Sequence, residues 1–447
     1  MTVDATGKVR AGLRARVAAA VRPSRDAWAA TSPALRLLGI VSTVVLVGFI
    51  AAVVYHYVTG VYLRFHYPYT TFLFYPPDRF MDLYNDLMYA REFLAGNKSV
   101  VTYTPFSHLI MTVLQFLPKH FVVGAMVTGF LSVLALGARW LMKDMHDLST
   151  GDKVRIGFVT IMLSYPVLFE LDRMNQEAFV FLWLAGFAWF YCVRHKRVGL
   201  VFLAAAIAAK LFPAALLLIP LADRKWRDTA FTALGSVGLL VASAVIVGLT
   251  APYGIVGTLE KAFTSLAGFH GSYLHTFELV HFGHAIWGVW VLFGIQTGLG
   301  TEAIRGAAGP YLVIMVVLGG LVGAYVVFIE KAMWRRVALC VLMMITFVYT
   351  SHDYTLLHVL LPVFLLVASG SRRRSDLALA ALLGLLLVPL DYYVIASDVT
   401  TSVIAYPVIS TIIMASIVAG GLYDRFSMRG RLASARAAET KKAAEAA

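Results

Sequence analysis

The sequence predicts an all-α polytopic membrane protein, and three observations carry that expectation. Sixty percent of the 447 residues are hydrophobic and 14% are charged, with a mean hydropathy of +0.76. Apolar runs long enough to cross a bilayer recur along the chain rather than occurring once as an anchor. Lys and Arg fall in short clusters between those runs, at 143–155, 194–197, 224–227, 331–336, 372–374 and from 425 onward. The net charge of +13 therefore reads as a topology signal, not as nucleic-acid binding. Cys192 and Cys340 both sit in apolar runs and give no disulfide framework or metal motif.

Residues 1–36 are Ala- and Arg-rich and read as a basic cytoplasmic tail resting on anionic lipid. The first span follows at about 37–59, with flanks unlike those of a cleaved signal peptide. The transmembrane domain runs over 37–422, and 423–447 form a second cytoplasmic tail. With the basic clusters inside, both termini are cytoplasmic in a multi-pass plasma-membrane protein. The segments 60–120, 170–176, 251–309, 351–354 and 397–401 then lie on the extracytoplasmic (periplasmic) face.

Two stretches need special treatment. Between Arg197 and Arg224 both ends look cytoplasmic, with Lys210 and Pro213 midway. Two short helices meeting at 209–213 satisfy both constraints; the alternative is one tilted span. The apolar run 283–296 is short and reads as interfacial or re-entrant. The expected count is ten full crossings and one broken pair, about 10–12 transmembrane helices, with helical content in the outer loops 60–120 and 251–309.

Chemistry-bearing residues gather on the outer face of this scheme. Asp78, Asp82 and Asp86 recur at helical spacing in the first outer loop. Arg173, Asn175, Gln176 and Glu177 form the next outer turn, and Lys210 lies at the broken pair. His270, Ser272 and His275 fall in the large loop, and Ser351, His352 and Asp353 at the last major turn. Ionisable groups beside a bilayer are costly and mark function. Basic groups there can hold a phosphate, and a carboxylate can take a proton from a hydroxyl. Plainer roles stand beside these. The acid pair can be a solvated helix face, Lys210 can snorkel, Arg173 can pair with Asp172 or Glu177, and His352 can cap a helix. His270, His275, His281 and His284 match no metal-ligand spacing, so no metal is expected. The Asn97-Lys98-Ser99 sequon is a weak signal, 62–75 is an aromatic belt, and neither a nucleotide-binding glycine loop nor a G-x-S-x-G elbow occurs.

Several motifs occur in a familiar order. Asp82-Leu83 opens a helix that Ala95-Gly96 closes, and Tyr103-Thr104-Pro105-Phe106 makes a turn into a span. Met174-Asn175-Gln176 precedes another span, and Ala208-Ala209-Lys210-Leu211-Phe212-Pro213 leads to Arg224-Lys225-Trp226-Arg227. Thr350-Ser351-His352-Asp353-Tyr354 comes before Leu360-Leu361-Pro362. Over about 37–422 the chain resembles glycosyltransferase family 87, of the polyprenol-phosphate-sugar-dependent GT-C class. That family includes mycobacterial α-mannosyltransferases of phosphatidylinositol mannosides and lipoglycans, and a branching arabinofuranosyltransferase. The sequence departs from the family pattern where Thr104 replaces the first proline of Pro-Pro, where the amide turn lacks its glycine, and where the late motif lacks its Trp and Pro.

The resemblance implies a GT-C fold, a polyprenyl-phosphate-linked monosaccharide donor and a glycolipid or lipoglycan acceptor, with no cofactor. It implies Asp82 as general base in an inverting transfer, most simply of mannose. Asp86, Tyr103 and His108 would position the acceptor. Arg173, Asn175, Gln176, Lys210, His270, Ser272, His352 and Asp353 would bind the donor phosphate and sugar. Membrane lipids are the other expected partners, and nucleic acid is not. Competing readings are an arabinofuranosyltransferase, a lipid-linked oligosaccharide polymerase or ligase, and a lipid-linked sugar transporter.

Overall fold

The computed structural model describes residues 31–64, 79–96, 104–143, 145–146, 148–273, 283–392 and 400–446, with backbone alone at 263, 265–273 and 428–446. Among these residues the fold is helical throughout, with no β-strand. Helix α1 (Pro33–His56) starts on Ser32, whose hydroxyl accepts from the Leu35 amide, with Pro33 in the first turn. A π-turn extends it to Tyr62, giving a 30-residue span. Helix α2 (Met81–Leu94) lies on the first loop, and α3 (Pro105–Leu114) follows it. Next come α4 (Lys119–Met142), then α5 (Thr150–Gly157, continued to Met162) and α6 (Tyr165–Arg173), bent by 66° from each other. Helices α7 (Glu177–Phe187, continued to Val193), α8 (Val198–Ala209) and α9 (Phe212–Ala222) follow, then α10 (Trp226–Thr250) and α11 (Gly254–Tyr273). The remainder is α12 (Ile286–Gln296), α13 (Thr301–Phe328), α14 (Met333–Thr346), α15 (Asp353–Ser369), α16 (Arg374–Leu385) and α17 (Ser402–Ala446).

The polytopic fold is as expected, but its spans are divided differently from ten full crossings. Among the described residues, five helices are long and apolar enough to cross alone: α1, α4, α10, α13 and the Ser402–Ser427 part of α17. The bent pair α5–α6 adds a sixth, and six further apolar helices are only 10–17 residues long. The short ones stop where polar residues and prolines collect, so apolar runs that look continuous in sequence become half-spans meeting at a polar layer.

Helices α14 and α15 form the centre. Every residue over 337–345 and 360–367 is buried, so these helices are apolar on all sides because protein surrounds them. Helix α13 lies outside, exposing Leu312, Val313, Val316, Val317 and Leu321. In a bilayer those side chains face lipid tails, at no hydrophobic cost.

The excursion through Lys210 is the broken pair expected from charge and proline. Helix α8 ends at Ala209, Lys210 is extended (φ −141°, ψ 135°), and a 3-10 turn restarts at Phe212. Arg197 at its start bonds Asp228 just after its end, 3.1 Å apart, so the chain leaves from and returns to one end of the bundle. That geometry excludes the single tilted span. The break strands carbonyls of α8, because Pro213 has no N–H to offer Ala209. Hydroxyls on α3 replace it: Thr104 Oγ1 donates to the carbonyls of Ala208 (2.5 Å) and Ala209 (2.9 Å), and Ser107 Oγ donates to Ala209 (2.9 Å). Thr104 also caps α3 by accepting from the Ser107 amide. The threonine that departs from the Pro-Pro pattern thus welds α3 to the broken span.

The basic clusters are tied down at the other end. Arg335 meets Asp376 at 2.6 Å in a buried pair, Arg336 meets Asp223 at 2.9 Å, and Glu330 accepts from Tyr325.

Candidate active site

Where α2 begins, Phe80 takes a left-handed backbone (φ 57°), and its amide donates to the Asp172 carbonyl at the end of α6. This bond sets the first turn of α2 against the turn between α6 and α7. Asp82 lies in that first turn, where a carboxylate is favoured by the helix dipole. At the far end of α2, Gly96 closes the helix at φ +86°, a conformation that an L side chain rarely adopts. Asp82 as helix opener and Gly96 as terminator are both where the sequence placed them.

Asn175 bridges two elements. Its Nδ2 donates to Asp82 Oδ2 at 3.0 Å, while its Oδ1 accepts from the Glu177 amide at 3.2 Å and so satisfies the first N–H of α7. Glu177 is fully buried and is the hub of the site. Lys210 Nζ donates to its Oε1 at 2.6 Å, and His358 Nε2 lies 3.0 Å from its Oε2. A buried carboxylate is tolerable only with such partners. Lys210 also sits over the rings of Tyr354 (5.4 Å) and Phe212 (5.9 Å). A second fully buried acid, Glu170, is within electrostatic reach of Glu177, Asp82 and Lys210. Five elements thus converge on one polar layer: the start of α2, the end of α6, the start of α7, the α8–α9 break and the first turns of α15.

A second buried cluster lies beside it. His284 Nε2 and Asp353 Oδ1 are 2.6 Å apart, both fully buried. The His284 amide also donates to the Ser351 carbonyl at 2.8 Å, fixing the late turn. Tyr165 reaches both Asp353 and Asp391, Thr400 donates to Asp391 at 3.0 Å, and the His284 ring packs edge-on against Tyr406 at 4.4 Å. In the loop after α16, desolvation and then the neighbouring Asp353 carboxylate push the Asp391 carboxyl up to about 6.

The structure brings some of the sequence-chosen residues together and separates others. Asp82, Asn175 and Lys210 share one network. Arg173 pairs with Asp172 at 3.8 Å, not with Glu177. Gln176 is the N-cap position of α7 and is buried. Asp86 is buried one turn after Asp82. His108 is buried on α3, stacked on Phe93 with ring centres 5.0 Å apart. His352 packs beside Tyr354 at 5.5 Å. Asp353 belongs to the second cluster, bonded to His284 rather than to the Glu177 network. His270 and Ser272 fall on α11 where backbone alone is described, and Asp78, Tyr103, His275, His281 and the Asn97 sequon lie outside the described residues. Among the described residues no three His, Cys, Asp or Glu side chains are placed to hold a metal.

Sequence reasoning undervalued Glu177 and missed His358. The signal for Glu177 was Lys210 itself, since an ammonium at membrane depth needs a carboxylate partner. His358 gave no comparable sign, because it lies inside an apolar run and only the fold shows that it faces Glu177.

Fold and site together define a multi-pass membrane protein with an ion-paired polar layer at one end of its short helices. Residues 102–351, more than half of the chain, match the model of Glycosyltransferase family 87, and the chain belongs to that family. It is a membrane glycosyltransferase, acting on a sugar donor and an acceptor. The matched region contains Asn175, Glu177 and Lys210, while Asp82 and His358 lie outside its two ends. No curated protein and no solved structure matches the chain.

Proposed function

We propose that this glycosyltransferase moves one monosaccharide, mannose, from a polyprenyl-phosphate donor to a glycolipid or lipoglycan acceptor on the extracytoplasmic face. Asp82 is the general base. The observation that carries the reading is the juxtaposition of Asp82 with the Asn175–Glu177–Lys210 network. A carboxylate and a cation in one layer suit the two needs of the reaction: proton removal from a hydroxyl, and neutralisation of a departing phosphate.

In this scheme the acceptor hydroxyl gives its proton to Asp82 as its oxygen bonds the anomeric carbon. The bond from that carbon to the phosphate oxygen breaks on the opposite face, with inversion. A β-linked mannosyl phosphate gives an α-mannoside. The polyprenyl phosphate leaves with an added negative charge, which Lys210, Arg173 and His352 stabilise. Asn175 holds the Asp82 carboxylate in place through its 3.0 Å bond. Asp86, Tyr103 and His108 support the acceptor, and Gln176, His270 and Ser272 the donor side, while Asp353 acts in the second cluster. No covalent intermediate is needed, and proximity supplies much of the rate. On this reading both termini are cytoplasmic, as the basic clusters suggest.

The test is transfer of radiolabel from polyprenyl-phosphate-mannose to membrane lipid by the purified protein. Labelled lipid supports the proposal. Label moving only from polyprenyl-phosphate-arabinofuranose would replace mannose by arabinofuranose, and transfer from neither donor would reject the reading.

A further inference from the structure

One turn of the chain touches both members of the Glu177–Lys210 pair. The 3-10 turn Asp353–Val359 that opens α15 carries Tyr354 and His358. The Lys210 ammonium lies over the Tyr354 ring at 5.4 Å, and His358 Nε2 lies 3.0 Å from Glu177 Oε2. The turn is stitched to its own start, where the Thr355 amide and Oγ1 donate to the His352 carbonyl at 2.8 and 2.7 Å. The His358 ring is fully buried, stacked on Phe181 of α7 at 6.3 Å and tilted against Phe212 of α9 at 6.1 Å. The hydrogen bonds fix the state of that ring. A carboxylate only accepts, so Nε2 carries a proton and donates it to Glu177. Nδ1 is buried with no hydrogen-bond partner among the described residues. A proton there would be a buried donor without an acceptor, at the full cost of its lost water. The ring is therefore neutral, with its one N–H aimed at Glu177.

We propose that His358 is a positioning residue for sugar transfer: as a neutral N–H donor it fixes the Glu177 carboxylate, and through it the Lys210 ammonium, where the phosphate departs. This rests on the reading of Lys210 as a phosphate-binding group. The His358 N–H occupies Oε2 and leaves Oε1 to Lys210 at 2.6 Å. Without that N–H the carboxylate is free to turn both oxygens to the ammonium and draw it away from the substrate. Glu177 and His358 have no exposed side chain, whereas Lys210 keeps 15% of its own, so the ammonium is the member of the chain that a phosphate can reach. Other charges face the pair. Glu170 on α6 is within its electrostatic reach and Asp82 on α2 within that of Glu170, while Arg173 stands 3.8 Å from Asp172. With acids on more than one side, the exact place of the ammonium sets how much of its field a phosphate feels. The phosphate gains charge as its bond to the sugar breaks, so a displaced ammonium lowers kcat more than it raises KM.

The experiment measures transfer kinetics of full-length wild type, His358→Gln and His358→Phe, with polyprenyl-phosphate-mannose or, if wild type uses only that donor, polyprenyl-phosphate-arabinofuranose. Glutamine keeps a neutral N–H donor where Nε2 stands and loses the ring. Phenylalanine keeps a ring between Phe181 and Phe212 and loses the donor. His358→Gln should keep kcat within about threefold, while His358→Phe should lose about tenfold or more in kcat with donor KM changed by under about threefold. Melts are recorded for each variant, and the assay runs below them. Nitrogen-15 solid-state NMR of ring-labelled wild type in lipid bilayers reads the ring itself, with the His358 signals assigned by their loss in His358→Gln. One protonated nitrogen, Nε2, is expected. Loss of kcat in His358→Gln overturns the proposal, and so does full transfer by His358→Phe, since packing alone would then be the role of the ring. A rise in KM alone, or a ring protonated at Nδ1 or at both nitrogens, overturns it too. No transfer by wild type from either donor would instead reject the underlying reaction and the proposal with it, while the NMR signal still reads the His358–Glu177 bond.

Discussion

The two buried acid clusters differ in what balances their charge. Glu177 has a cation, Lys210, at 2.6 Å and a histidine at 3.0 Å, and its network continues to the half-buried Asp82. Asp353 meets the neutral-or-charged ring of His284 at 2.6 Å, with the Arg173 guanidinium within electrostatic reach but no ammonium bonded to it, inside a cage of Tyr165, Asp391, Thr400 and Tyr406. The first cluster joins separate helices around a charge pair that extends to a partly open carboxylate. The second ties the late turn and the start of α17 to α6, and Asp353 and His284 are closed to solvent. On the proposed function, the contrast separates a working layer from a strut. A chain can contain several buried acids, and the one to follow is that whose network reaches a surface that a substrate can touch.

The largest expected effect comes from breaking the first cluster at its cation. Lys210→Met leaves Glu177 buried without its ammonium, and should cost about 3–5 kcal/mol of stability as well as transfer. Glu177→Gln in the same protein should recover most of the stability and none of the transfer. Denaturant melts of the single and double variants, with the transfer assay beside them, read the two effects apart. If the double variant recovers both, the pair is structural only.

Asn175 sharpens the comparison further. Asn175→Asp keeps the oxygen that accepts from the first N–H of α7 but replaces the donor to Asp82 with a second carboxylate. Transfer should fall by about tenfold or more, while melting changes by less than about 1 kcal/mol at the helix start. Equal loss of both would mean that the residue serves the helix alone. A smaller change is expected from Thr104→Val, which removes the hydroxyl held by Ala208 and Ala209 at the α8 break. About 1–3 kcal/mol should be lost, because the Ala208 carbonyl loses its hydroxyl donor and the Ser107 amide its cap, while Ala209 keeps Ser107.

The smallest effect probes the strut. With the Asp391 carboxyl held near 6 in the folded protein, the folded state binds a proton more tightly than the unfolded chain does. Stability contributed by this group is therefore present below about pH 4 and declines as the pH rises toward 6 and beyond. Asp391→Asn should flatten that part of the melting-temperature profile between pH 4 and 7. An unchanged profile would remove Asp391 as its source.

Much of the architecture was legible because its causes are local. Apolar length, basic clusters and the Lys210–Pro213 break follow from hydropathy, charge and a missing N–H, each readable within a short window. Asp82 and Gly96 could be placed because a dipole and a positive φ act at helix ends. The division into half-spans was not legible, since it depends on polar layers assembled from distant segments. The partners of Glu177 come from positions 33 and 181 residues away, and the bond between His284 and Asp353 spans 69. No window of sequence contains such pairs, so His358 went unnoticed and Asp353 was grouped with the wrong neighbours.

The most direct test of the account compares Asp82→Asn with Asp353→Asn, both purified and assayed for transfer of labelled mannose from polyprenyl phosphate. The account predicts that Asp82→Asn melts like wild type and loses transfer by about 10²–10⁴-fold. It predicts that Asp353→Asn shifts the melt and retains transfer within about tenfold when assayed below that melt. Full transfer by Asp82→Asn, or loss confined to Asp353→Asn in a protein that melts like wild type, would contradict it and move the catalytic carboxylate to the second cluster.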